Sequence, residues 1–205
     1  MEVRDSFWLY GSPAGQGLVW LTRTESRRLP REVRRAQPAA HRWPTTDVAA
    51  DVARTIRHVA SGRRRSRHHE VAPAGWRRIA RVLPYARDLA GSFPECSGPN
   101  CFGAVMGAAG VSGAAERWMQ REPFEEWLAA SSVPGGTDAD LGTVLVWRSV
   151  DGLVQHAAVT LGDGRALHKP SQGWMSPTKV LTTTELKFSA RTPGHRLERH
   201  RLIDS

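Results

Sequence analysis

The stretch "LVQHAAVTLGDGRALHK", residues 153–169, constrains the fold of this chain most. Two β-prone runs flank Asp163-Gly164, and an Asp-Gly pair closes a short hairpin because both residues tolerate the left-handed backbone that a tight turn needs. The two runs are therefore predicted to be antiparallel neighbours. "TVLVWR" precedes them, and "KVLTT" and "HRLERHRLI" follow, each reading as a further strand. Ahead of this block stand two helical patterns. "CFGAVMGAAG" puts Phe102, Val105, Met106 and Ala109 on one stripe with Gly110 as a stop, and "REPFEEWLAAS" carries Pro123 near its first turn. Helices first and an antiparallel sheet after them predict an α+β architecture.

The first half of the chain reads differently. "SFWLY" and "GLVWLTR" flank the turn-rich "GSPAGQ" and predict a hairpin over residues 6–23. "TTDVAADVARTIRHVA" predicts a helix, with Val48, Val52, Ile56 and Val59 at helical spacing. "SGRRRSRHHEVAPAG" follows as a basic, mobile loop, and a short helix around Trp76, Ile79 and Leu83 stops at Pro84. The expected division is an N-terminal extension over 1–92 and a second domain over 93–205. The net charge of +9 belongs to the first half, where residues 1–100 hold 18 arginines against nine acids. That excess reflects either an arginine-rich composition or a face for nucleic acid or another polyanion. No apolar run reaches the roughly 18 residues of a membrane span, and the first residues lack the pattern of a signal peptide, so a cytoplasmic protein is expected. Two cysteines, Cys96 and Cys101, are too few for a disulfide scaffold. No Cys/His spacing resembles a zinc site, and neither metal nor cofactor is expected.

The residues with chemistry gather around the hairpin and the helix that starts at Cys101. On the first hairpin strand His156, Ala158 and Thr160 share a face. The tight turn brings His168 back beside His156, so one imidazole can orient the other. A thiol at a helix N-terminus meets the dipole and free N–H groups, which favour thiolate and can hold an oxyanion. Nucleophile, base and orienting residue make a generalised triad. The plainer alternatives are a buried structural thiol and two strand histidines with structural roles.

A helix-opening Cys with a Gly two residues on, the strand after "DLGTVLVW", a His opening "HAAVTLGDG" and a second His twelve residues later resemble the NlpC-type papain-like cysteine peptidases and amidases. The resemblance covers about residues 95–185. It implies a papain-like core with the nucleophile helix packed on an antiparallel sheet, Cys101 as nucleophile, His156 as general base and acid, and His168 as the orienting third member. Where the family carries "DCSG" this chain has "NCFG", while "CSG" occurs at Cys96–Gly98. Cys96 is thus a rival nucleophile; Cys101 is preferred because it heads the apolar stripe, whereas Pro99 interrupts any helix begun at Cys96. Asn100, beside the nucleophile, and Lys169, Ser171, Gln172 and Trp174, directly after His168, are the expected substrate-binding residues; ordinary loop packing is the alternative for the last four. The expected activity is hydrolysis of an amide bond in a small peptide or peptide-like substrate through a thioester. Acyl transfer to a non-water acceptor on the same fold, or an inactive binding protein using the basic half, are the alternatives. Oligomeric state is not legible here.

Overall fold

The structure is a computed structural model, and it describes residues 65–95, 97–174 and 176–203 together with residues 7–8, 17–18, 30–31, 53, 56–57 and 60. Two compact units divide the chain, Met1–Ser61 and Gly62–Ser205.

In the first unit, β1 (Phe7–Trp8) and β2 (Gly17–Leu18) pair antiparallel, Phe7 opposite Leu18, at the position of the expected hairpin. Ala53, Ile56, Arg57 and Ala60 are helical, within the expected helix over 45–60. The remainder of both expectations, the reading of residues 25–44 and Cys96 lie outside the described residues.

The second unit is a six-stranded, fully antiparallel open sheet with helices on both faces. Its elements are α1 (Pro73–Ile79), α2 (Ala86–Leu89), α3 (Cys101–Ala108), α4 (Arg121–Ser131), β3 (Ser132–Pro134), β4 (Leu141–Arg148), β5 (Val154–Gly162), β6 (Arg165–His168), β7 (Lys179–Thr182), α5 (Thr183–Ala190) and β8 (Arg196–Leu202). The spatial order is β3-β8-β4-β5-β6-β7. The Asp163-Gly164 turn joins β5 to β6 as the sequence requires, and Asp163 takes a positive φ of 51° there. The mixed α+β class and the antiparallel sheet are therefore observed.

The alternation of the strands sorts their side chains into two cores. Val144, Val146, Ala157, Val159, Leu161 and Leu167 face α3 and meet Cys101, Phe102, Val105 and Met106. Leu145, Trp147, Ala158, Ala166 and Leu181 face the other way, against Leu186 of α5. Helix α3 is buried at every position from Cys101 to Ala108. Phe102 stacks on Phe124 of α4 with ring centroids 4.7 Å apart. The small residues of α3 serve the segment after it: a Cβ on Gly103 would lie 2.3 Å from the Ala114 carbonyl oxygen, and one on Gly107 would lie 2.7 Å from the Ala115 Cβ.

Three features differ from the sequence expectation. The compact unit starts at Gly62 rather than near residue 93, because Trp76, Ile79, Leu83 and Ala86 of the α1–α2 region bury themselves in the same core as α3. The described part of the basic loop is held rather than free. The Arg67 guanidinium donates to both carboxylate oxygens of Glu185, at 2.9 and 2.7 Å, while its backbone N–H donates to the Val180 carbonyl at 2.7 Å. This bidentate pair holds the Glu185 carboxyl down at about 2. Finally, α5 stands between β7 and β8, where sequence periodicity assigns no helix. It is launched by a capping box: the Thr182 hydroxyl accepts from the Glu185 N–H at 3.1 Å and the Glu185 carboxylate accepts from the Thr182 N–H at 3.1 Å.

Candidate active site

Helix α3 begins at Cys101 because Asn100 caps it. The Asn100 Oδ1 accepts from the Gly103 N–H at 3.1 Å, and its Nδ2 donates to the Met119 carbonyl at 2.8 Å. Such a cap is worth about 1 kcal/mol. Both polar ends of Asn100 are thus used to fix where α3 starts and to pin the segment leading into α4. It is a positioning residue as the structure stands.

The helix delivers the Cys101 sulfur to the beginning of β5. Cys101 is 9 % exposed, and its sulfur sits among the backbone N–H groups of Ala157, Phe102 and Cys101 itself, with the Lys169 ammonium as a nearby charge. The β5–β6 ladder runs from Gly162 opposite Arg165 to Val159 opposite Leu167. Ala157 lies beyond the end of that ladder, which leaves its N–H for the sulfur. Burial dominates the thiol's ionisation and pushes it up to about 11, although the three N–H groups and Lys169 pull the other way. The lowered thiol expected from a helix N-terminus is therefore not what this environment produces. Removing sulfur from water costs the thiolate more than one helix end returns.

The two histidines meet as the hairpin predicts. The His168 Nδ1 and His156 Nε2 are 3.4 Å apart, and the rings stand edge to face at 5.6 Å with an interplanar angle of 85°. His156 also leans on Trp147, its β4 partner, with centroids at 5.4 Å. The β4–β5 register slips between Trp147 and Arg148, so that Arg148 faces Val154 and Gln155 is the extra residue of a bulge just before His156. The rings belong to the sheet face that carries Trp147 and Ala158, whereas Cys101 arrives from the α3 side, one residue away at Ala157. Neither ring hydrogen-bonds the thiol in this arrangement. His156 keeps a partly exposed edge, yet desolvation pulls its pKa from 6.5 down to about 4. His168, 2 % exposed, lies well below its usual value through burial, reinforced by His156, Lys179 and Lys169. At neutral pH the site therefore holds a neutral thiol and two neutral imidazoles.

These shifts give stability a pH dependence of definite sign. A histidine whose pKa is lower in the folded state than in the unfolded chain favours unfolding as pH falls, because the unfolded chain binds the proton first. For His156 the window runs from 6.5 down to about 4. Full protonation corresponds to about 3 kcal/mol. The urea midpoint of the full chain is expected to drop between pH 7 and pH 4.5, and to drop less in His156→Ala. Equal dependence in the two proteins would remove His156 as the source.

The segment after His168 forms a folded loop around Lys169. Lys169 is 2 % exposed, and its Nζ donates to the carbonyls of Gly173, at 3.3 Å, and Ser176. The Ser171 N–H donates to the Ser176 hydroxyl at 3.2 Å, and the Gly173 N–H to the Ser171 hydroxyl at 3.3 Å. This loop is stitched to the approach to α3. The Gly98 N–H donates to the Gln172 carbonyl at 2.9 Å, and the Trp174 N–H to the Ser97 hydroxyl at 3.3 Å. Gln172 presents an exposed side chain, while Trp174 is 3 % exposed. Of the residues expected to bind substrate, Gln172 is thus open to solvent, Trp174 and Lys169 are interior, and Ser171 organises the loop. Sequence reading leaves Trp118 out. It is 57 % exposed, and its backbone N lies beside Gly98 in the segment that leads to Cys101.

Among the described residues, no group of three or more His, Cys, Asp and Glu side chains is arranged to hold a metal ion. No helix among them is long and apolar enough to cross a membrane. Several described arginines outside the site are committed to acids: Arg67 to Glu185, Arg78 to Asp163, Arg148 to Glu125 and Glu198, and Arg199 to Asp138. Compared with known proteins, the chain matches no family model, no curated protein and no solved structure.

Proposed function

We propose that this chain is a cysteine-dependent amidase with a papain-like core of the NlpC type, acting on a small peptide or peptide-like substrate. The observation that carries the reading is the Cys101 sulfur at the start of α3, against the N–H of Ala157, the residue that follows His156 in β5, whose ring pairs with that of His168. In the proposed reaction His156, whose ring does not itself touch the sulfur, takes the thiol proton by way of a bridging water as sulfur bonds to the substrate's carbonyl carbon. The oxygen gains the negative charge and is held by N–H groups at the head of α3. The C–N bond then breaks, the amine leaves with the proton from His156, and a thioester to Cys101 remains. Water, activated by His156, releases the acid. His168 holds the His156 ring and its tautomer through their shared hydrogen bond. A neutral thiol and a neutral imidazole are the resting partners, so the proton moves only as substrate arrives. The exposed side chains of Gln172 and Trp118, on segments joined to Gly98 just ahead of Cys101, are those proposed to meet the peptide.

The test is the intact mass of the protein after incubation with a panel of p-nitrophenyl esters of N-acetyl amino acids. The expected result is a mass increase equal to the acyl group, carried by the peptide that contains Cys101 and removed by hydroxylamine. A panel that acylates neither cysteine, or acylates Cys96 instead, rejects Cys101 as nucleophile.

A further inference from the structure

Lys169 is an unusual residue for its place. It follows the last residue of β6, and continuing the strand's alternation from Leu167 puts it on the α3 side of the sheet, the side of Cys101 rather than of the two imidazoles. Its side chain is 2 % exposed. An ammonium has three N–H donors, and two meet the Gly173 and Ser176 carbonyls of its own loop. The same loop is tied by Gln172 and Trp174 to residues 97 and 98, which lead directly into Cys101. A buried lysine costs stability unless it has a charge to meet. Burial draws the Lys169 ammonium down to about 7, with the charge of Cys101 pulling the other way. On the neighbouring elements, His156 and His168 belong to the opposite face, and Lys179 stands across from His168 on β7.

We propose that Lys169 is the built-in counter-ion of the Cys101 thiolate, a positioning residue locked by its own loop so that a cation is already present when the sulfur loses its proton. The proposal rests on Cys101 as nucleophile, yet it concerns the ionisation of the sulfur alone and needs no substrate. When S–H breaks and the proton leaves to solvent base, the sulfur becomes negative in a site that strongly disfavours charge. The ammonium offsets that charge, and the thiolate in turn holds the ammonium in its protonated form. The two groups then titrate as a pair.

The experiment is the pH profile of iodoacetamide alkylation at Cys101, followed by peptide mass so that Cys96 is counted separately. Lys169→Met is expected to slow alkylation at pH 6, where the ammonium is charged, by about tenfold or more, the loss that removing a close opposite charge produces. Lys169→Arg, which keeps the charge, is expected to recover most of the rate. An unchanged rate in Lys169→Met overturns the proposal, and so does equal slowing in both variants. Should Lys169→Met fail to fold, the reciprocal measurement decides. The chain has three lysines, so the Nζ signals are separable by NMR. The Lys169 midpoint is expected to be higher in the wild-type protein than in Cys101→Ser, because the interaction is the same seen from either partner. Equal midpoints overturn it. Loss of this result leaves the amidase reading standing, and loss of acylation at Cys101 leaves this result standing.

Discussion

Cys101→Ala is expected to abolish turnover of any acyl substrate the protein accepts, and His156→Ala to lower it by about 10³-fold or more. In the proposed reaction the two groups act on one proton and one bond. Without the sulfur no thioester forms, and without His156 nothing takes the thiol proton at neutral pH, where burial keeps the thiol at about 11. Their losses are therefore not additive, and the double variant is expected to be no worse than Cys101→Ala alone. His168→Ala is expected to cost less than His156→Ala, because it acts by holding the other ring at 3.4 Å and does not meet the reacting atoms. The rate is also expected to fall on the acid side as His156 protonates near pH 4, since the protonated ring can no longer accept. The measurement is kcat/KM on the best ester or amide from the acylation panel, with Cys96→Ala as the control. Full activity in Cys101→Ala, or activity lost with Cys96→Ala alone, ends the assignment.

Gly103→Ala is expected to destabilise the protein by about 3 kcal/mol. The added Cβ would sit 2.3 Å from the Ala114 carbonyl oxygen and 3.2 Å from that of Arg117. Both are backbone atoms of the segment packed on the first turn of α3, so they cannot swing aside as a side-chain tip would. Relief requires moving either that segment or the helix itself. The Gly103 N–H is also the donor that Asn100 caps, so a shifted turn moves Cys101 with it. For a unit of this size the melting temperature is expected to fall by roughly 6–12 °C, with a further loss of activity in the protein that remains folded. Gly75→Ala is the matched control. It lies in helix α1, and its Cβ would meet only the Val71 Cγ1, at 3.2 Å, a methyl that can turn. Alanine there is expected to be neutral or slightly stabilising. If Gly103→Ala melts with the wild-type protein, the close packing of α3 against residues 114–117 is not real.

Much of the second unit was legible because its information is local. The 154–162 and 165–168 strands follow from period-2 alternation around an Asp-Gly turn, and α3 and α4 follow from apolar spacing with Asn100 and Pro123 near their starts. The α5 helix was legible too, in Thr182 and Glu185 three residues apart, yet its apolar periodicity is weak and gave no signal. The membership of α1 and α2 in the α3 core was not legible. It depends on Trp76 and Leu83 finding partners far along the chain, and nothing in their own spacing names those partners.

The site divides in the same way. Sequence alone led to a hairpin that returns His168 to the neighbourhood of His156 and to a helix opened by Cys101, while the register slip between Thr160 and Gly162 is what sets both rings on one face. Tertiary structure decided the ionisation of that thiol and the place of Lys169. A helix end favours thiolate, but how much water the sulfur loses depends on the core packed around it, and here that desolvation is the larger effect. Whether a lysine becomes a surface charge or an interior partner of sulfur is likewise set by packing. Hydropathy spacing reads one strand at a time, while solvation is a property of everything that surrounds the group.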